Sequence, residues 1–165
     1  MEQLPITVGF DGSEFSKTAL RKGLQMGRRL ALPVRVIRAW SISNAPRPAN
    51  WSKGYVPPIE EFAEAVLAQV KEQTAAIIAE FPEVEVIFSV PHGAAGRELI
   101  RASETSEMIV VGTRGSGGFS GLLLGSVSDQ VVGHASCDVL VTRKLSGDQA
   151  PPRTLTLDAS IEDDV

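Results

Sequence analysis

The residues best suited to chemistry are Gly112-Thr113-Arg114-Gly115, followed after nine residues by Gly125-Ser126. This spacing suits a phosphate. Glycines let backbone N–H groups approach an anion, and the free N–H groups and dipole of a helix start attract negative charge. The run Glu107-Met108-Ile109-Val110-Val111 precedes the glycines, and a helical pattern begins near Ser126. The stretch therefore reads as a loop leaving a strand and entering a helix. The Ser126 hydroxyl can add a donor and Arg114 a positive charge.

Two familiar phosphate loops are excluded. A Walker A loop needs Lys then Ser or Thr after its last glycine, and Gly125-Ser126-Val127 has no lysine. A dinucleotide fingerprint needs G-x-G-x-x-G early in the chain. Gly115-Ser116-Gly117-Gly118-Phe119-Ser120 fails at its last position and comes late. A loop of Gly, Ser and Thr can also be a plain turn. The strand before it, the helix after it and the second glycine–hydroxyl pair favour phosphate.

Such a loop needs elements to hold it. Ile6-Thr7-Val8-Gly9-Phe10, bounded by Pro5 and Asp11-Gly12, reads as a buried strand. Ser13 can cap a helix running to about Ala31, with Phe15, Ala19, Leu20, Leu24, Gly27 and Ala31 as its core face. Pro33 to Trp40 is a second strand, placed nearer an edge than the first by Arg35 and Arg38. Ser41 to Pro58, with its prolines, Trp51 and Tyr55, is the longest irregular stretch inside the domain. It is either a solvated connection or a functional loop.

Glu60 to Glu80 predicts a helix burying Phe62, Val66, Val70, Ile77 and Phe81. Val84 to Val90 predicts a third strand, Pro91-His92-Gly93 a turn, and a helix follows to about Glu104 with Leu99 and Ile100 inward. Met108 to Gly112 is the fourth strand. Val127, Val131, Val132 and Ala135 mark the next helix, and Asp138 to Thr142 the fifth strand. These elements lie in one domain over residues 1–145. Residues 146–165 carry Asp148, Pro151, Pro152, Asp158, Glu162, Asp163 and Asp164 and read as an acidic, disordered tail. Within it Leu155, Leu157 and Ile161 leave room for docking.

Alternating strands and helices predict an α/β fold. Its core is an open five-stranded parallel sheet with helices on both faces, Rossmann-like in architecture; the order 3-2-1-4-5 is inferred for it and is not read from the alternation. Ligands of such sheets sit beyond the C-terminal strand ends, where the winding reverses. Strands one and four are neighbours there, so Asp11-Gly12-Ser13 and the glycine loop are expected to share a crevice. Asp11 can accept from ribose hydroxyls or lean on a phosphate-bound metal. Its plain alternative is an ordinary Asp-Gly turn.

Composition narrows the class. The chain has 165 residues, 43% apolar, and a net charge of −4, without the basic excess of a general nucleic-acid binder. Its one cysteine, Cys137, forms no internal disulfide and has no Cys/His cluster for structural zinc. No signal peptide or membrane-spanning stretch is legible, so a cytoplasmic protein is expected. His92 and His134 are read as a surface-turn residue and a helix-end residue respectively.

From about Ile6 to Arg143 the sequence resembles the universal stress protein family, specifically its ATP-binding branch, with an adenine nucleotide α-hydrolase-like fold. The signature G-x2-G-x9-G-[ST] is matched by Gly112, Gly115, Gly125 and Ser126. Val8-Gly9-Phe10-Asp11-Gly12-Ser13 and Cys137-Asp138-Val139-Leu140-Val141 are also similar to the family. The resemblance implies ATP with Mg²⁺ as ligand. Gly112, Gly115, Gly125 and Ser126 would wrap the phosphates, with Val127 and Ser128 continuing the cradle. Asp11 would contact the ribose or assist the metal, while Gly9 and Phe10 line the site. Ala39 would touch the adenine, with Val111 close by. It also implies a homodimer through Val139-Leu140-Val141.

Three functions remain open. One is an ATP-binding regulatory protein of the stress response, with at most slow hydrolysis and with contacts to a protein partner. Another is an ATPase or phosphotransferase, in which Arg114 and Ser126 clamp phosphate but no water-positioning residue is evident. The last is a dimeric interaction module without nucleotide.

Overall fold

The structure is a computed structural model and describes residues 3–115 and 123–143. Among these residues nine elements follow in chain order. They are β1 (Ile6–Gly9), α1 (Glu14–Leu30), β2 (Val34–Ile37), α2 (Ile59–Ile78), β3 (Val86–Ser89), α3 (Ala95–Ser103), β4 (Met108–Gly112), α4 (Ser126–His134) and β5 (Asp138–Thr142). The strands form one parallel sheet of order β3-β2-β1-β4-β5, the order expected.

Strand periodicity divides the core into two layers. Ile6, Val8, Val34, Val36 and Val110 face one side and pack with Leu20 and Leu24 of α1 and Phe62, Val66 and Val70 of α2. Ile37, Ile109 and Val111 face the other and pack with Leu99 of α3 and Val131 of α4. Each fully buried side chain of this kind contributes about 1.5–3 kcal/mol. The helices after β1 and β2 thus cover one face, and those after β3 and β4 the other. The winding reverses between β1 and β4, which pair with Val8 opposite Val110.

Local sequence sets the element ends. Ser13 caps α1, its hydroxyl accepting from the Ser16 N–H at 3.2 Å, and Glu14 lies in the first turn. Ala31 departs from its expected core position. It closes α1 in the left-handed region (φ 55°), exposed, while the Leu32 N–H reaches the Gly27 carbonyl at 3.0 Å. Gly23 takes a core place instead, where a Cβ would stand 2.5 Å from Val8 Cγ2. Val132 is also exposed, because the turn from Val131 swings it off the core face.

Arg35 is more than an interruption of β2. Its guanidinium donates to Thr7 Oγ1 at 3.0 Å, to Ser106 Oγ at 2.8 Å and to the Ala102 carbonyl at 3.0 Å. It therefore ties β1, β2 and the α3–β4 turn together at the end of the sheet opposite the glycine loop. Partial burial holds its guanidinium below the usual arginine range, and burial likewise pushes the nearby Cys137 thiol up. Arg35→Met is expected to cost about 2 kcal/mol in urea unfolding, since charge-assisted bonds are lost. A change below about 0.5 kcal/mol would show that the network contributes only packing.

Candidate functional site

The crevice is built by backbone geometry at the C-terminal ends of β1 and β4. After β1, Asp11 Oδ1 accepts from the Ser13 N–H at 2.9 Å, fixing the carboxylate. Gly12 takes φ +84°, a conformation that favours glycine. After β4, the Thr113 N–H donates to the Thr142 carbonyl at 3.1 Å, and the Gly125 N–H donates to the Thr113 carbonyl at 2.7 Å. The second bond brings the start of α4 back against the strand end. Ser128 Oγ donates to the Thr113 carbonyl at 3.1 Å and to the Gly125 carbonyl at 3.0 Å, holding the first turn there.

Gly125 is the N-cap of α4 and supplies no side-chain cap. The first-turn N–H groups and the helix dipole therefore suit an incoming anion. Close approach accounts for the other glycines. A Cβ on Gly115 would lie 2.7 Å from Asp11 Oδ2, and one on Gly112 would lie 2.8 Å from Phe15 Cβ. A Cβ on Gly9 would lie 2.9 Å from Leu99 Cδ1.

These parts enclose a cavity of about 390 Å³. All twelve residues expected to contact the nucleotide line it: Gly9, Phe10, Asp11, Ala39, Val111, Gly112, Arg114, Gly115, Gly125, Ser126, Val127 and Ser128. The lining combines the glycines, Asp11 and Arg114 with the apolar Ile37, Ala39, Leu99 and Val111. Sequence reasoning missed Ser16, Ile37, Arg38, Asn44, Ala95, Leu99 and Leu124 as lining residues. Ile37 and Arg38 flank Ala39 and Leu124 precedes Gly125, so adjacency was their available signal. Ser16 from α1, Asn44 from the β2–α2 loop, and Ala95 and Leu99 from α3 carried none.

His92 is exposed and packs against Trp40, ring centroids 4.8 Å apart, outside the cavity lining. His134 closes α4 with Nδ1 3.0 Å from the Gln130 carbonyl. Cys137 packs at the edge of the second core layer.

The profile of the universal stress protein family matches residues 4–143. This chain belongs to that family. The universal stress protein Rv2623 of Mycobacterium tuberculosis is 32% identical over 143 residues, 87% of this chain and 46% of that protein. The chain thus spans about half the length of the curated relatives it matches. Among solved structures, the universal stress protein UspA of Lactobacillus plantarum aligns with a TM-score of 0.66 at 18% identity, over 87% of this chain and 100% of that one. An Archaeoglobus fulgidus universal stress protein in complex with dAMP gives 0.58 at 18%, over 86% and 98%. An Arabidopsis thaliana family member with AMP bound gives 0.54 at 14%, over 91% and 97%. At these identities the likeness establishes the universal stress protein fold. Among the described residues no helix is long and apolar enough to cross a membrane.

Proposed function

We propose that the crevice binds an adenine nucleotide, ATP with Mg²⁺, and that occupancy regulates the protein in a stress response. One observation carries the reading. The Gly112–Gly115 loop, the Gly125-capped start of α4 and the Asp11 carboxylate converge on one cavity of about 390 Å³ whose lining also includes Ile37, Ala39, Leu99 and Val111. Its backbone donors suit phosphate and its apolar side chains suit a flat ring. Relatives of this fold solved with dAMP and AMP support the same ligand class.

In this reading Gly112, Gly115, Gly125 and Ser126 hold phosphates, Arg114 adds positive charge, and Val127 and Ser128 extend the cradle. Ala39 and Val111 meet the base, and Gly9 and Phe10 complete the wall. Mg²⁺ fits the donor set as a phosphate-bound ion, because it keeps several waters and takes only one or two carboxylates. Asp11 is the candidate carboxylate. Among the described residues no group of three or more His, Cys, Asp or Glu is placed to hold a metal alone.

Asp11 is also the only carboxylate among the described lining residues. Positioning the nucleotide and orienting a water would compete for it, so hydrolysis is expected to be slow. β5 lies at the sheet edge, and Val139-Leu140-Val141 would pair there with a second copy. A protein partner would then read the occupied dimer, in the cytoplasm. Titration calorimetry of nucleotide-stripped protein with Mg-ATP tests the ligand. Micromolar binding is expected, and no binding by well-folded protein overturns the reading in favour of a nucleotide-free interaction module.

A further inference from the structure

The loop between β2 and α2 presents apolar surface that its own packing does not consume. Trp51 is 40% exposed, Tyr55 45%, Val56 73% and Ile59 45%. They share a braced segment. Trp51 stands edge-on to Phe62 with centroids 6.0 Å apart, Ser52 and Tyr55 form a small antiparallel bridge, and the buried Pro57 fixes the approach to α2. Arg47 lies over the Trp51 ring at 5.5 Å. Residues 41–58 carry Arg47 and Lys53 and no acid. The acids begin only with Glu60 and Glu61 of α2, and Glu61 accepts from the Asn50 amide.

The occupant is argued from the same chain. Residues 144–165 hold five acids against two bases and carry Leu155, Leu157 and Ile161 among them. Charge and apolar character therefore complement the platform. Reach is sufficient as well. β5 ends at Thr142, at the C-terminal end of the sheet from which the loop after β2 also emerges, because all strands are parallel. Three strand spacings separate β5 from β2, about 14 Å. The chain from Arg143 to Leu155 can span about 40 Å.

We infer that residues 144–165 dock on the Trp51–Tyr55–Val56–Ile59 platform, acids toward Arg47 and Lys53 and Leu155, Leu157 and Ile161 toward the rings. A short tether supplies a millimolar effective concentration, so a weak site is enough. Asn44 of the same loop lines the cavity. Docking itself needs no nucleotide.

The full chain gives its own probe, since its two tryptophans are Trp40, 2% exposed, and Trp51. Acrylamide quenching is compared, without nucleotide, between the full chain and the triple variant Leu155→Asp, Leu157→Asp, Ile161→Asp. Trp51 is expected to be quenched about threefold less in the unmodified chain, with protection fading in high salt. Carbodiimide coupling is expected to join Lys53 to Asp158, Glu162, Asp163 or Asp164 within one chain, shown by mixing isotope-labelled and unlabelled protein. Equal quenching with no such crosslink overturns the inference. Crosslinks only between labelled and unlabelled chains overturn it too, and assign the platform to a second copy.

Discussion

Gly115→Val weakens Mg-ATP binding at least about a hundredfold in calorimetry while leaving thermal unfolding nearly unchanged. The added Cβ would lie 2.7 Å from Asp11 Oδ2. That carboxylate cannot swing away freely, because Oδ1 already accepts from the Ser13 N–H. A branched side chain would therefore displace Asp11 and also fill the space a phosphate must enter. Fold stability is spared because the residue lies in a loop after β4, outside both core layers. Gly133→Ala in α4 is the control, since a Cβ there meets nothing within 4 Å. A Gly115→Val affinity within about threefold of the parent would remove the loop from the phosphate site.

The lining of this crevice was largely legible because it depends on backbone, and backbone requirements leave marks in sequence. Gly112 and Gly115 stand where a Cβ would collide and Gly125 where it would be tight, so their spacing encodes the loop. The parallel α/β class followed from alternating apolar runs and helical faces, whereas the order 3-2-1-4-5 did not, since the same alternation also fits 2-1-3-4-5. What escaped was decided by tertiary contact. Gly23 and Val8 form one close contact between α1 and β1, and Ala31 leaves the core because α1 ends there in a left-handed cap. Arg35 read as a mark of a strand near the edge, yet its bonds to Ser106 and Ala102 come from residues about seventy positions away. Leu99 and Ala95 reach the cavity only because α3 crosses the β1–β4 side of the sheet. The tail expected over 146–165 lies outside the described residues.

Trp40→Ala carries the largest expected stability cost, about 3–5 kcal/mol by chemical denaturation. Trp40 is 2% exposed and joins elements far apart in sequence. Its ring stacks on Phe62 of α2 at 6.3 Å, and its Nε1–H donates to the Val90 carbonyl at 2.8 Å. Truncation would leave a cavity and an unmet carbonyl at once. Trp40→Phe keeps a ring against Phe62 but loses the hydrogen bond and part of the indole volume, so about 1–3 kcal/mol is expected. The position also bears on the crevice. The Trp40 N–H donates to the Pro91 carbonyl at 3.1 Å, and the Trp40 carbonyl accepts from the Gly93 N–H at 2.9 Å, which sets the chain direction just beyond Ala39. In folded Trp40→Ala, well below its melting point, nucleotide affinity should fall with loss of the Ala39 wall. Phosphate-end variants would act independently, so Trp40→Ala and Ser126→Ala effects on binding should add within about 0.5 kcal/mol. Strong coupling between them would mean that the two ends of the crevice move as one unit.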